Sequence, residues 1–211
     1  MIVNEYVLIG LGFLGQAMFG ARTIAQWIIS EKEGRVVSPT IFWVFSLIGA
    51  TIFLFYGIIR HDFVIILGQT VSYYIYLRNL YLKGVWNNMH FAVRYNLICI
   101  PVFVLAFVPD NSVSQIFKQT HFTDLLLVVG MTGQLLLNCR YLYQWYYSEK
   151  AQESILPLGF WIISAVASVM VIIYGIYRDD IVLLVAQSGG LVAYARNIFI
   201  HFRPRPLNEA R

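Results

Sequence analysis

Residues 16–32 read QAMFGARTIAQWIISEK, and residues 134–150 read QLLLNCRYLYQWYYSEK. Both stretches begin with glutamine, place an arginine six positions later, and end with a glutamine–tryptophan pair followed by Ser-Glu-Lys. The apolar residues between these positions mostly differ, although shared hydrophobicity would match them first. The pattern therefore indicates an internal duplication, which decides how many helices the chain has and how they are grouped.

The duplication extends well beyond the quoted stretches. An offset of 118 positions aligns residues 12–82 with residues 130–200 without a gap. The recurring polar and aromatic residues outside the quoted stretches are Pro39/Pro157, Phe42-Trp43/Phe160-Trp161, Ser46/Ser164, Arg60/Arg178, Asp62/Asp180, Gln69/Gln187, Tyr76/Tyr194 and Arg78-Asn79/Arg196-Asn197. Two copies of one unit therefore account for most of the chain.

The composition predicts an integral membrane protein. Apolar residues make up 59% of the chain, charged residues 12%, and the mean hydropathy is +0.67. Soluble domains have about 45–50% apolar and about 25% charged residues. A membrane span needs about 20 mainly apolar residues. Hydropathy predicts seven transmembrane helices, at about 5–29, 40–59, 63–82, 91–108, 123–147, 157–177 and 180–200.

These helices form two units of three with one helix between them. Because three is an odd number, two adjacent units would point in opposite directions, and the single helix at 91–108 restores a parallel orientation. The predicted fold is all-α, with two parallel three-helix repeats and a linker helix (3+1+3), an organisation also found in SWEET transporters. The predicted segments are residues 1–84 (first repeat), 85–122 (linker helix and external loop), 123–202 (second repeat) and 203–211 (tail). Two complete repeats favour a monomer.

The distribution of basic residues predicts the orientation. The richer side has Lys32, Arg35, Lys83, Arg94, Lys150, Arg203, Arg205 and Arg211, and the other side has Arg60, Lys118 and Arg178. The N-terminus is therefore expected in the periplasm and the C-terminus in the cytoplasm. The tryptophans near the cytoplasmic helix ends, expected to form an interfacial belt, are Trp27, Trp43, Trp86, Trp145 and Trp161.

Arginines within the spans are the candidate binding residues. Arg22 and Gln26 are four positions apart on one helix face, and Arg140 and Gln144 repeat this arrangement. Guanidinium groups bind phosphate bidentately, so a phosphate-bearing lipid is the expected ligand. The candidate phosphate-binding residues are Arg22, Arg140, Gln26, Gln144, Arg78 and Arg196. The alternative is that these arginines are anchors that extend to the membrane surface.

Other polar residues within the spans are candidates for contacts with sugar hydroxyls or for lining a path. They are Gln16, Gln134, Gln69, Gln187, Tyr76, Tyr194, Asn79 and Asn197. The alternative for the four glutamines is hydrogen bonding between helices. Arg78 lies half a turn away from the face of Gln69, which argues against one continuous site.

Loop residues have local roles in this interpretation. Arg60 with Asp62, and Arg178 with Asp180, are predicted to form ion pairs at outer turns. The two Ser-Glu-Lys motifs are predicted to end the first and fifth helices on the cytoplasmic side, as loop entries or as a docking edge. The histidines are scattered, and we predict no catalytic residue, no metal ligand and no cofactor.

The repeated pattern resembles a known family. Gln-x5-Arg-x3-Gln-Trp-x2-Ser-Glu is followed by Pro-x2-Phe-Trp, Tyr-Gly-x2-Arg-x-Asp and Tyr-x-Arg-Asn, at 16–79 and again at 134–197. This pattern resembles the lipid A biosynthesis N-terminal domain family, the membrane module that precedes lipid-A-disaccharide synthase in some bacteria. The resemblance implies a Gram-negative inner-membrane protein in lipid A or other lipid-linked glycan metabolism, with a polyprenyl-phosphate glycosyltransferase as partner. Because no domain for a nucleotide sugar is present, we predict that the chain is not an enzyme.

The leading hypothesis is a flippase that moves a lipid-linked sugar of the polyprenyl-phosphate type. The alternative is a non-transporting accessory that anchors or presents lipid to a glycosyltransferase, and a catalytic membrane synthase is a third, weaker hypothesis. Arginines that face an internal cavity would favour transport. A tightly packed centre, with arginines facing lipid headgroups, would favour the accessory. No nucleic-acid partner is expected.

Overall fold

The computed structural model describes residues 5–60, 63–107, 125–179 and 181–203. Over these residues the chain forms seven α-helices and a short 3₁₀ turn at Trp86–Asn88. The helices are α1 (Glu5–Glu33), α2 (Thr40–Arg60), α3 (Phe63–Leu82), α4 (Phe91–Leu105), α5 (Leu125–Ala151), α6 (Leu158–Tyr177) and α7 (Ile181–Phe202). The sequence therefore predicted the order and position of the helices.

The Ser-Glu-Lys motifs end helices α1 and α5, as the sequence predicts. Helix α1 continues to Glu33, so Ser30, Glu31 and Lys32 form its last turns, and α5 includes the second motif in the same way. A lysine in the last turn interacts favourably with the helix dipole. The chain leaves α1 at Gly34, which has a positive φ of 62° that glycine adopts without strain.

Six helices follow one another around a ring. Helices α1, α2 and α3 pack in series and are called the first triplet, and α5, α6 and α7 pack in series as the second triplet. The triplets meet where α3 contacts α5 and where α1 contacts α7. Helix α4 lies outside the ring against α2 and α3, where the hydroxyl of Tyr73 donates to the Leu97 carbonyl at 2.9 Å. The inside of the ring is therefore bounded equally by the two triplets.

Helix length and composition agree with an all-α membrane protein. Among the described residues, three helices are long and apolar enough to cross a bilayer by these criteria: Tyr6–Glu33 within α1, Thr40–Arg60 and Leu158–Tyr177. Helix α4 is apolar but has only 15 residues. Many large apolar side chains on the outer surfaces of the helices are exposed, as a hydrocarbon environment allows. That all seven helices cross the membrane stays a prediction.

Two of the five tryptophans do not belong to an interfacial belt. Trp43 and Trp161 are fully buried, and each ring centroid lies 6.0 Å from a tyrosine ring, that of Tyr76 or Tyr194. The sequence placed these tryptophans at the correct helix ends but could not show that their side chains point into the ring of helices. They pack inside the triplets and do not face headgroups.

Gly133 permits a close approach between α5 and α6. A Cβ atom at this position would lie 2.8 Å from the Val171 side chain and 3.0 Å from the Ala167 carbonyl oxygen. We expect Gly133→Ala to destabilise the protein by about 1–3 kcal/mol, because overpacking forces these two helices apart. Thermal unfolding of the purified protein in detergent, followed by circular dichroism, measures this change.

Gly20→Ala is the matched control. This glycine is also inside a helix, but a Cβ there would have no neighbouring atom within 4 Å. The midpoint of its thermal unfolding should stay within error of that of the wild type or rise slightly, since alanine favours a helix. Equal destabilisation by both substitutions would contradict the close packing of α5 on α6.

Candidate functional site

Arg22 lies inside the first triplet and is bonded to the two helices that follow it. Its Nη1 donates to the Ser46 hydroxyl on α2 at 3.0 Å and to the Tyr76 hydroxyl on α3 at 3.2 Å. Ser46 in turn donates to the Phe42 carbonyl, one helical turn earlier. Arg22 therefore holds all three helices of its triplet together from α1.

Arg140 repeats this arrangement in the second triplet. Its Nη1 donates to the Ser164 hydroxyl on α6 at 2.9 Å and to the Tyr194 hydroxyl on α7 at 3.0 Å. The three residues stand 118 positions after their counterparts, so the duplication in the sequence is also a duplication of this cluster. The two arginines are 6% and 7% exposed, which places both charges in the protein interior.

Neither guanidinium has a carboxylate partner among the described residues. The ion pairs of this part of the chain involve other arginines, and the hydroxyl partners above are neutral. Aromatic rings lie instead within 6 Å of each guanidinium carbon: Phe19, Phe42, Tyr76 and Tyr141 for Arg22, and Tyr141, Phe160 and Tyr194 for Arg140. Cation–π contacts stabilise a positive charge but do not neutralise it.

Each of these arginines also has an unused donor. The Nε atoms of Arg22 and Arg140 are buried and have no hydrogen-bond partner among the residues that the structure describes. A buried charged donor without a partner is costly, so the cluster is better suited to an acceptor that brings negative charge. The arrangement therefore has the chemistry of an anion site.

A cavity of about 10 Å³ separates the two arginine clusters. Its lining residues come from both triplets and are Arg22, Thr23, Phe42, Arg140, Tyr141, Phe160, Trp161 and Tyr194. This volume holds about one water molecule. The arginines thus face an internal cavity, as transport requires, while the centre is tightly packed, as we expected of an accessory.

Amide side chains join the two triplets. Gln26 Nε2 donates to Asn197 Oδ1 at 2.8 Å, and Asn197 Nδ2 donates back to Gln26 Oε1 at 3.0 Å. Gln144 and Asn79 make the same exchange at 2.8 Å and 3.1 Å. All four residues are fully buried, so each triplet satisfies a buried amide of the other.

Two ion pairs across the triplets lie close to these amides. Arg78 binds Glu149 bidentately, with Nη2 donating to Oε2 at 2.9 Å. Arg196 binds Glu31 in the same way, with Nε donating to Oε2 at 2.9 Å. Arg78 and Arg196 therefore do not line the cavity beside Arg22 and Arg140. Each of them binds instead a glutamate near the end of a helix of the other triplet.

The structure separates the remaining predicted site residues. Gln16 and Gln134 are exposed, Gln69 has a buried Oε1 atom without a partner, and Gln187 accepts a hydrogen bond from Ser168 at 2.9 Å. Tyr76 and Tyr194 bond the buried arginines, and Asn79 and Asn197 bond the glutamines. The predicted ion pairs Arg60–Asp62 and Arg178–Asp180 involve aspartates outside the described residues.

Sequence reasoning did not predict the contacts that Ser46, Ser164, Glu31, Glu149 and Tyr141 make with the arginines. The first four recur at the offset of 118 positions, and this recurrence was the signal that could have identified them. Tyr141 gave no such signal, because Thr23 stands at the equivalent position.

A second difference between the triplets concerns the buried tryptophans. Trp43 Nε1 donates to the Ser38 hydroxyl at 2.8 Å. The position equivalent to Ser38 is Leu156, which has no acceptor in its side chain. Trp161 Nε1 is consequently buried without a partner. The two triplets are thus alike in their arginine clusters but not in the surroundings of those clusters.

Comparison with known proteins identifies the family. The lipid A biosynthesis N-terminal domain matches residues 11–81 and matches again at residues 129–199. The chain belongs to this family. Each match contains one complete arginine cluster, with its serine, tyrosine, glutamine and asparagine.

The relatives of this lipid A biosynthesis domain protein are longer. It is 28% identical over 210 residues to the lipid-A-disaccharide synthase of Chlamydia pneumoniae, covering 94% of this chain and 34% of the relative. It is 27% identical over 220 residues to that of Chlamydia abortus, covering 96% and 34%. The chain therefore spans about a third of the length of these relatives. No solved structure matches, so the SWEET-like organisation stays a prediction.

The prediction that the chain is not an enzyme was wrong. The relatives carry the name of an enzyme, lipid-A-disaccharide synthase, and this family member matches one region of each of them. The prediction relied on the absence of a catalytic motif and of a nucleotide-sugar domain. The matched region is about one third of each relative, so the absence of a catalytic motif within it says nothing about the activity of the whole relative.

The amide exchange between the triplets can be measured by a double-mutant cycle. We expect Gln26→Leu and Asn197→Leu to be coupled by about 1 kcal/mol, because either substitution removes both hydrogen bonds of the exchange and leaves the amide oxygen of the other residue without its donor. Unfolding of the four proteins of the cycle in mixed micelles gives the coupling energy.

The cycle of Gln26→Leu with Asn79→Leu is the control, since Asn79 is bonded to Gln144 and not to Gln26. Its coupling should be close to zero. A coupling as large in the control as in the bonded pair would show that the triplets are joined in another way.

Proposed function

We propose that this protein binds a sugar-carrying, phosphate-bearing lipid of the polyprenyl-phosphate type and moves it between the two leaflets of the inner membrane. In this proposal the triplets are two parallel repeats in the 3+1+3 arrangement, with the N-terminus in the periplasm and the C-terminus in the cytoplasm. Arg22 and Arg140 contact the phosphate. Gln16, Gln69, Gln134 and Gln187 contact the sugar or line its path.

The pair of buried arginines is the observation that carries the proposal. Two positive charges in the interior of an apolar protein, each with an unused Nε donor, are suited to one anion of charge −1 or −2. Phosphate accepts hydrogen bonds from guanidinium groups in a bidentate geometry, which a single hydroxyl cannot reproduce. The apolar helices and the lipid A family favour a lipid as the bearer of this phosphate.

Binding at this site requires movement of the triplets. A cavity for about one water molecule is too small for a phosphate group, so the two arginine clusters must separate when the ligand enters. The Gln26–Asn197 exchange and the Arg196–Glu31 ion pair lie towards the helix end where α1 and α7 finish. Gln16, nearer the opposite end of α1, is exposed. Opening from the opposite end would expose the arginines without breaking these contacts.

A second candidate function is lipid presentation without transport. The packed centre favours it, and so does the position of this domain in relatives that carry the name of a synthase. The lipid would then be held at the arginines and offered to a glycosyltransferase. The Ser-Glu-Lys turns would contribute to docking through Lys32 and Lys150, which are exposed, while Glu31 and Glu149 are engaged within the chain.

Leaflet exchange in liposomes tests the proposal. A polyprenyl phosphate that carries a sugar and a fluorescent label is incorporated with the purified protein, and chemical bleaching of the outer leaflet reports the exchange. We expect Arg22→Ala and Arg140→Ala each to slow exchange by about tenfold or more, because each removes a charged donor from the phosphate.

Arg35→Ala is the matched control, since Arg35 is exposed in the loop after α1. It should exchange lipid at the wild-type rate. If the lipid binds in a way that depends on Arg22 and Arg140 but does not exchange between leaflets, transport is overturned and lipid presentation is supported. Failure of the wild type to bind the labelled lipid at all would overturn both functions.

A further inference from the structure

Tyr141 is the main difference between the two halves of the cavity wall. Equivalent positions carry the same residue at the arginines and at Phe42 and Phe160, but Thr23 in the first triplet corresponds to Tyr141 in the second. The difference is one of size: the threonine side chain ends at its γ atoms, and the tyrosine side chain extends a whole ring further.

The ring of Tyr141 crosses from the second triplet into the first. Its centroid lies 5.2 Å from that of Tyr76 on α3 and 5.4 Å from that of Phe160 on α6. It is 4% exposed, so it is surrounded by both triplets. Contacts on both sides fix the ring where the two arginine clusters come together.

Both buried guanidinium groups lie against this one ring. The guanidinium carbon of Arg22 is 5.4 Å from its centroid and that of Arg140 is 5.0 Å away. Arg140 Nη2 also donates to the Tyr141 hydroxyl at 3.4 Å. Two like charges repel strongly in an interior of low dielectric constant, and an aromatic ring shared by both offsets part of that repulsion. The ring thus occupies the position that an anion bound to both arginines would approach.

The remaining free space adjoins Thr23 as well as the ring. At about 10 Å³ the space is small, and it exists where the first triplet has a short side chain and the second has a long one. An aromatic ring is comparable in size with a tetrahedral phosphate group. When the arginine clusters separate to admit a ligand, the space beside Thr23 is where one phosphate would meet both arginines, whereas a second linked phosphate would need the volume that the ring fills.

From this geometry we infer that Tyr141 is a specificity-determining residue that restricts the site to a lipid with a single phosphate group. The inference rests on the proposed function, because it assumes that the arginine pair binds a lipid phosphate. It adds the substrate class: a lipid monophosphate is accepted, and a lipid diphosphate is rejected by the volume of the Tyr141 side chain.

Binding of two probes to the full chain in nanodiscs tests the inference. The probes are a polyprenyl monophosphate and a polyprenyl diphosphate of equal chain length, with inorganic phosphate and inorganic diphosphate as lipid-free arms. We expect the wild type to prefer the monophosphate lipid by about tenfold or more, the effect of one lost charge-assisted contact. Tyr141→Thr, which introduces the residue of the first triplet, should reduce this preference to about threefold or less through tighter binding of the diphosphate.

Two further variants separate ring volume from other effects. Tyr141→Phe keeps the ring and removes the hydroxyl, so it should keep the wild-type preference. Thr23→Tyr places a second ring in the remaining space and should weaken monophosphate binding by about tenfold or more. The reciprocal variant also keeps the inference testable if Tyr141→Thr does not fold.

The possible results test the role of Tyr141 separately from the proposed binding of a lipid phosphate. If the wild type and Tyr141→Thr bind both lipids equally, and Arg22→Ala binds neither, the phosphate site stands and the role of Tyr141 is overturned. If the wild type binds the inorganic anions as tightly as the lipids, the ligand is a free phosphate and the lipid class is overturned. If Arg22→Ala binds every probe like the wild type, the arginine site and the inference both fail.

Discussion

The burial of two guanidinium groups without carboxylates is the constraint on which the rest of this structure depends. An arginine does not lose its charge, so its environment must stabilise it by other means. In the first triplet the charge of Arg22 is stabilised by a serine hydroxyl from α2, a tyrosine hydroxyl from α3 and several aromatic faces. Since these groups come from three different helices, stabilising Arg22 fixes the relative positions of all three. The second triplet is built in the same way around Arg140.

A further consequence of duplication is that each triplet completes the other. The helix that ends each triplet carries an asparagine and an arginine, and the first helix of each triplet carries a glutamine and a glutamate. Helix α3 contacts α5, and α7 contacts α1. Each of these two contacts brings the same complementary pairs together. One set of residues, present twice, therefore forms two interfaces, and the buried amide oxygens of each triplet accept hydrogen bonds from the other triplet.

Local patterns of the sequence predicted the helices and their order but predicted the site only in part. The spacing of Arg22 and Gln26 placed them correctly on one helix face, because helical periodicity relates residues four apart. The same periodicity could not reveal that Gln26 bonds Asn197, or that Arg196 faces Glu31 and not the cavity, since these partners are separated by more than 160 positions.

The sequence by itself determined that the chain is rich in apolar helices, that it contains one unit twice, and that the unit is the lipid A biosynthesis N-terminal domain. These properties depend on composition and on residue spacing, which can be read without knowing how helices meet. Only the tertiary structure decided that a very small cavity remains between the arginine clusters, that Arg78 and Arg196 belong to ion pairs, and that Tyr141 lies against both buried guanidinium groups. These are properties of contact between distant segments, and they depend on side-chain volume and direction at positions where the two copies meet.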